Sequence, residues 1–325
     1  RMPKLNEIKR PVELDLNKFE PYFRNSMSSK VPLLDVITNY IYRRKGKQLR
    51  PLLVFLSAGL NGKISESTYV AAGMIELLHT ASLIHDDVVD ESYDRRSFFS
   101  INALWRSKIA VLVGDYLLSK GLLLAIEKNE IELLRIMSQA VKDMSEGELL
   151  QIEKSRKMDI NESTYFEIIE KKTASLLASC SANGACSVGA TPEMVQRMKD
   201  FGQYLGIAFQ IKDDLFDYQP KGIIGKPTGN DIKEKKLTLP LIHALSKVSK
   251  NKQSEILKLV RGSKKSKKAV EKVVAFVQQK GGLEYTAIKM QEYKNKALEQ
   301  LAFYPECEYR KSLEMLTEYI VERSK

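Results

Sequence analysis

The sequence predicts an all-α protein, a single-domain bundle of about ten or more helices. Three observations predict it. Five of the ten prolines fall at or before Pro51, the next is Pro192, and positions 52–191 carry none, a gap that suits long helices because proline breaks helix interiors. Apolar residues recur close to the helical period, as in Ala72, Ile75, Leu78, Ala81 and Ile84. No stretch shows the sustained alternation with Asn-Gly or Asp-Gly turns that marks a hairpin.

The elements follow in order. Residues 1–30 read as a peripheral N-terminal extension. Asn61-Gly62-Lys63 is a turn, and the segments 69–90, 100–128, 130–157, 162–189 and 193–217 each carry a helical stripe. Tyr218 to Asn230, with Pro220, Gly222, Gly225, Pro227 and Gly229, reads as a long ordered loop, and Gly262 to Lys268 as a solvated turn. No flexible linker divides the chain, so residues 1–325 are expected to form one domain.

Composition narrows the function. The 325 residues are 43% hydrophobic, enough for a large core, and 29% charged. No run of about 18 uninterrupted apolar residues is present, which argues against a membrane span. The first residues, Arg1-Met2-Pro3-Lys4-Leu5, hold no apolar stretch of the secretory kind. Cys180, Cys186 and Cys307 match neither a disulfide framework nor a zinc pattern, and the expectation is a cytoplasmic protein. A net charge of +11 favours anionic partners.

Two segments stand out. His85-Asp86-Asp87-Val88-Val89-Asp90 and Lys212-Asp213-Asp214-Leu215-Phe216-Asp217 both read D-D-x-x-D and both close an apolar helical run. Positions i and i+4 share a helix face, so Asp86 stacks with Asp90 and Asp213 with Asp217. Carboxylates this close repel one another and call for a cation. Hard oxygen ligands favour Mg²⁺, which bridges one or two carboxylates to substrate phosphates. One copy alone would read as a solvated helix end. Two copies in equivalent positions point to a site that holds Mg²⁺ around a diphosphate. Basic residues collect near both: Lys47 and Arg50, Arg95 and Arg96, Lys172 beside Thr173, Lys226, and Lys235 with Lys236. Arginine forks and lysine point charges suit phosphate oxygens. A noncatalytic basic module that binds nucleic acid would leave the aspartates unexplained, so nucleic acid is not expected as a partner.

In this order the motifs resemble the trans-isoprenyl (polyprenyl) diphosphate synthase family. Glu76 to Ser92 followed by Arg95-Arg96 is similar to its first aspartate-rich motif. Phe209 to Asp217, then Gly225 to Asp231 and Leu237 to Pro240, is similar to its second. Gly46 to Pro51, Val113-Gly114-Asp115, Gly147-Glu148-x-x-Gln151 and Lys172-Thr173-Ala174 match further family positions. The resemblance runs from about residue 30 to 245 and implies a helical fold around a deep central cavity, usually dimeric. It implies that Asp86, Asp90 and Asp213 ligate Mg²⁺, with three ions at the bound allylic diphosphate, and that Asp87, Asp214 and Asp217 ligate or support. Arg95, Lys172, Gln210 and Lys226 would contact the allylic diphosphate, with Thr173 and Lys236 supporting. Lys47, Arg50, His79 and Arg96 would grip isopentenyl diphosphate. A transient membrane contact would accompany release of the apolar product. Two departures are visible: Ser97 and Lys235 stand where the family usually has glycine.

The growing tail would run back from Asp86 toward the helix start. Ser82 and Ala81, four and five residues before Asp86, are small, and Leu78 lies deeper. One helical turn rises about 5.4 Å, comparable to one isoprenoid unit. Met137, Ala140 and Met144 offer a facing stripe. In the family, small residues at these positions go with longer products, so the expected product is medium to long, about C35–C45, with the C20 and farnesyl products as alternatives.

Overall fold

The computed structural model describes residues 4–44, 46–89, 107–219, 229–262 and 266–322. Among these residues the ordered elements are helices, with no strand. After α1 (Leu5–Lys9) and a 3₁₀ turn at Arg10–Val12 come α2 (Glu13–Met27), α3 (Pro32–Arg43), α4 (Leu49–Asn61), α5 (Glu66–Val89), α6 (Ser107–Glu127) and α7 (Ile131–Lys157). Then follow α8 (Glu162–Ile169), a π-helical turn at Glu170–Ala174, α9 (Ser175–Ser187), α10 (Pro192–Phe216), α11 (Asn230–Lys233) and α12 (Leu239–Ser246). The chain closes with α13 (Lys250–Arg261), α14 (Lys267–Gln279), α15 (Gly282–Ala302) and α16 (Glu308–Glu322).

Local chemistry sets several boundaries. Asn161, Thr191, Ser249 and Ser266 each accept a backbone N–H of the following helix through the side chain, and Pro192 occupies the first turn of α10. The expected helices appear near their expected ends where they are described, with one difference; the start of the expected 100–128 helix and residues 220–228 of the expected loop lie outside the described residues. The span 162–189 is interrupted by the π turn, which no local sequence feature announces.

The axis of the bundle is α9. Its sequence, Ser175-Leu-Leu-Ala-Ser-Cys-Ser-Ala-Asn-Gly-Ala-Cys-Ser187, is almost entirely small residues, and it packs against α4, α5, α7 and α10. Small side chains let backbones approach closely. A Cβ on Gly184 would fall 2.4 Å from the Val54 carbonyl oxygen of α4, and one on Gly202 of α10 would fall 2.4 Å from the Leu177 carbonyl oxygen. The register follows from side-chain contacts. Thr68 meets Ser187 at 2.9 Å, Cys180 lies within the field of Arg50 and Glu76, and Gly206 abuts Ala174. Both α5 and α10 therefore run antiparallel to α9, and their C-terminal ends lie at the end of α9 where the π turn sits.

Residues 5–27 depart from the expected peripheral extension. Ile8, Val12, Leu16, Phe19, Phe23 and Met27 are buried in the same apolar cluster as α4 and α5, and Phe19 meets Phe55 edge to face at 5.7 Å. Their spacing is itself helical, so α1 and α2 add a face to the core. By length and composition α6 would suffice to cross a bilayer, since its charges are too few to lower its mean hydropathy of 1.9. Ala110, Val113, Gly114, Leu117, Gly121 and Ala125 bury one face of it in the bundle.

Candidate active site

The second aspartate cluster occupies the last turns of α10. Asp214 is buried, and its carboxylate accepts the Tyr165 hydroxyl of α8 and the Gln210 amide at 3.0 Å. The Gln210 carbonyl in turn accepts the Thr173 hydroxyl at 3.1 Å. A hydrogen-bonded chain thus runs Thr173–Gln210–Asp214–Tyr165, joining the π turn to the aspartates. Asp217 accepts the backbone N–H groups of Asn230 at 3.0 Å and Asp231 at 3.1 Å, which places its carboxylate at the start of α11. Asp214 and Asp217 are thus both hydrogen-bonded within the protein. Asp213, just before Asp214, is half-buried.

Electrostatics at this end are strained in one direction. Burial pushes Asp214 up to about 7 despite its two hydrogen bonds. Burial, then the charges of Asp214 and Asp217, push Asp231 up to about 8. Burial opposes the charge of Lys236, but Glu234 at 2.8 Å, Asp231 and Asp214 outweigh it and hold the ammonium above its ordinary range. Clustered acids that resist ionisation fit a hard divalent cation, whose charge would reverse that resistance. Among the described residues no three His, Cys, Asp or Glu side chains converge into a ready cage. Mg²⁺ combines one or two carboxylates with phosphate oxygens and water.

The π turn presents Lys172 and Thr173. Lys172 donates to Gln151 at 2.6 Å and pairs with Glu148 at 2.8 Å, both on α7. Two glycines make room for the turn. A Cβ on Gly147 would fall 2.7 Å from the Lys172 amide nitrogen, and one on Gly206 would fall 2.6 Å from the Ala174 Cα. π turns inside α-helices are frequent at functional sites.

The first cluster ends α5. Asp86 is exposed and Asp87 half-buried, at the same end of α9 as Asp213. Just before them, His85 lies 3.3 Å from the Asp115 carboxylate and 3.2 Å from the Val111 carbonyl, and it sits where a Cβ on Gly114 would be. The Val113-Gly114-Asp115 motif of α6 is thus the seat of His85. Arg50 of α4 donates to the buried carboxylate of Glu76 through Nε at 2.6 Å and through the terminal nitrogen at 3.4 Å. His79, buried, follows Glu76 by one turn, and Lys47 is exposed on the turn before α4. Below Asp86, Ala81 and Leu78 are buried, while Ser82 bonds back to the His79 carbonyl at 2.8 Å. Asp90, Arg95, Arg96, Ser97 and Lys226 lie outside the described residues.

Sequence reasoning missed Tyr165, Asp231 and the partners Glu148 and Gln151 as participants. The last two were visible only as part of a motif. Tyr165 carries no local signal, because its partner Asp214 is 49 positions away.

The polyprenyl synthetase family model matches residues 31–277. The chain is 35% identical to the all-trans-nonaprenyl-diphosphate synthase (geranyl-diphosphate specific) of Rhodobacter capsulatus, over 98% of this chain and 97% of that one. It is 33% identical to the octaprenyl diphosphate synthase of Escherichia coli, over 100% and 99%. The crystal structure of a polyprenyl synthase from Caulobacter crescentus, complexed with calcium and isoprenyl diphosphate, superposes with a TM-score of 0.87 at 32% identity, covering 99% of each chain.

Proposed function

The chain belongs to the polyprenyl synthetase family, and from that premise we propose that it condenses isopentenyl diphosphate head to tail with an allylic prenyl diphosphate. The product we assign is a medium-to-long all-trans polyprenyl diphosphate, about C35–C45, because the small Ala81 and Ser82 stand where the family resemblance links small residues to longer products. The observation that carries the reading is the convergence of the Asp86 end of α5, the Asp213 end of α10 and the Lys172 turn at one end of α9, above an apolar stripe through Ala81 and Leu78.

We assign Mg²⁺ to Asp86, Asp90 and Asp213, supported by Asp87, Asp214 and Asp217. Bound there, the metal supplies Lewis acidity to the allylic diphosphate. The protein's own groups do the rest. Lys172, Thr173 and Gln210, with Arg95, Lys226 and Lys236, hold the allylic diphosphate and stabilise the charge it gains as the C–O bond breaks. Lys172 would exchange Glu148 and Gln151 for phosphate oxygens. Arg50, oriented by Glu76, binds isopentenyl diphosphate with Lys47, His79 and Arg96, so that its double bond faces the allylic carbon. The apolar walls keep water from the cation until the new bond forms and a proton leaves to the released diphosphate. The whole chain acts as one domain in the cytoplasm, as a homodimer, with membrane contact when product departs.

The test incubates purified protein with labelled isopentenyl diphosphate, Mg²⁺ and one allylic primer at a time, followed by sizing of the dephosphorylated products. Wild type should give a long product, and Ala81→Phe a shorter one, because a ring at this buried position closes the path of the tail. An unchanged length in a folded Ala81→Phe would refute the assignment of the cavity floor, and absence of any condensation product would refute the reaction.

A further inference from the structure

Lys212 has no place in the chemistry above, yet it immediately precedes Asp213 and is only 3% exposed. Its ammonium donates to the backbone carbonyl of Ile320, in the last turn of α16, 108 positions away. It lies 5.0 Å from the ring centroid of Phe209 and 6.0 Å from that of Phe216. Burying an ammonium costs several kcal/mol unless partners offset it. The end of α16 is a suitable partner, because the last carbonyls of a helix lack intrahelical donors and carry the negative end of its dipole. A second buried lysine, Lys294 of α15, pairs with Glu322 in the same terminal turn. Two lysines thus hold one helix end, and only one of them is joined to a carboxylate of the active site.

We propose that Lys212 is a positioning residue: gripped by the C-terminal end of α16, it fixes the rotation of the last turns of α10 and so the direction in which Asp213 meets a magnesium diphosphate. Consecutive residues on a helix point about 100° apart. Anchoring position 212 therefore sets position 213. The bond from Tyr165 of α8 to Asp214 restrains the same turns from another flank. The C-terminal helix, which contributes no side chain to the chemistry, becomes part of the metal site through its backbone. The inference rests on the assignment of Asp213 as a metal ligand.

Calorimetric titration of Mg²⁺ into the protein with saturating inorganic pyrophosphate tests it without turnover. Lys212→Met should weaken Mg²⁺ binding by about tenfold, the worth of one hydrogen bond to a charged group. Lys212→Arg, which keeps charge and donors, should stay within about threefold of wild type. Lys212→Gln, titrated alongside, gives the same readout if the methionine variant does not fold. Lys294→Gln, which loosens the end of α16 without removing the bond from Lys212, should lower Tm and weaken Mg²⁺ binding by less than Lys212→Met does. Unchanged Mg²⁺ affinity in folded Lys212→Met or Lys212→Gln, or an equal loss in Lys294→Gln, overturns the proposal. Asp213→Asn separates the two claims. Wild-type Mg²⁺ binding in that variant defeats the ligand assignment itself, whereas lost binding beside an unaffected Lys212→Met defeats only the positioning role.

Discussion

Lys235 adopts φ 59, a left-handed conformation that a side chain enters only at a cost. Family resemblance anticipates glycine there, and the structure supplies the reason: the chain must turn sharply between α11 and Lys236, and the Lys236 N–H closes the turn on the Asp231 carbonyl at 2.8 Å. A β-carbon in this region costs about 1–2 kcal/mol, and glycine returns about half of that gain as lost unfolded-state entropy. Lys235→Gly should therefore raise stability by about 0.5–1 kcal/mol, measured as an increase in denaturation midpoint at unchanged m-value. Activity should be retained, because Lys235 is exposed and the turn keeps its shape. A loss of stability would mean that the lysine side chain contributes something the strain argument omits. Tyr165 makes the complementary point. Desolvation and the neighbouring aspartates hold its phenol well above the ordinary range, so it serves as a fixed donor to Asp214 over the working pH range.

At the scale of elements, the π turn at Glu170–Ala174 is where sequence and structure part. The helical period of 162–189 and its lack of proline describe one continuous helix, and α8 and α9 are both there. What widens the helix between them comes from elsewhere in the chain: Gly147 and Gly206 leave space for the extra residue on two sides. A local deviation whose cause is tertiary leaves no periodic trace. The same holds for Lys212 and Tyr165, whose partners lie on helices distant in sequence. By contrast, the aspartate clusters, the basic groups and the long helices were legible, because charge and period are carried by adjacent residues. Gly147→Ala tests the π turn directly. Its methyl would meet the Lys172 amide at 2.7 Å and the Lys171 Cβ at 2.8 Å, both on a backbone that cannot swing away. Overpacking of this kind costs about 1–3 kcal/mol. The turn should shift with Lys172 on it, so kcat should fall by about tenfold or more beyond what the lost stability explains, because misplacement of a positioning group is felt in the rate. Wild-type kcat in Gly147→Ala would show that Lys172 does not depend on the turn.

For the whole molecule, the uneven surface of α6 bears on assembly. One face of this helix is buried against the bundle, yet Val111, Leu112, Leu118, Leu123 and Ile126 on other sides are between 36% and 58% exposed. Exposed apolar patches of this density on a soluble surface mark interaction sites. A net charge of +11 repels a second copy at long range. The proposed dimer would form through an apolar part of the surface, and α6, whose charges are Lys108, Asp115, Lys120 and Glu127 over 21 residues, offers one. Full burial of a leucine contributes about 1.5–3 kcal/mol, so five large side chains outweigh a moderate repulsion. Seating α6 against its copy would also brace Gly114 and Asp115, which hold His85 next to Asp86, so assembly and catalysis should be linked. Leu112→Glu combined with Leu123→Glu places two like charges on each side of the symmetric contact. On the proposed assembly, sedimentation equilibrium should show wild type as a dimer and the double variant as a monomer, and turnover should fall as the dimer is lost. If the double variant remains dimeric, the apolar face of α6 is not the contact. If it becomes monomeric with full activity, the brace on His85 is complete within one chain.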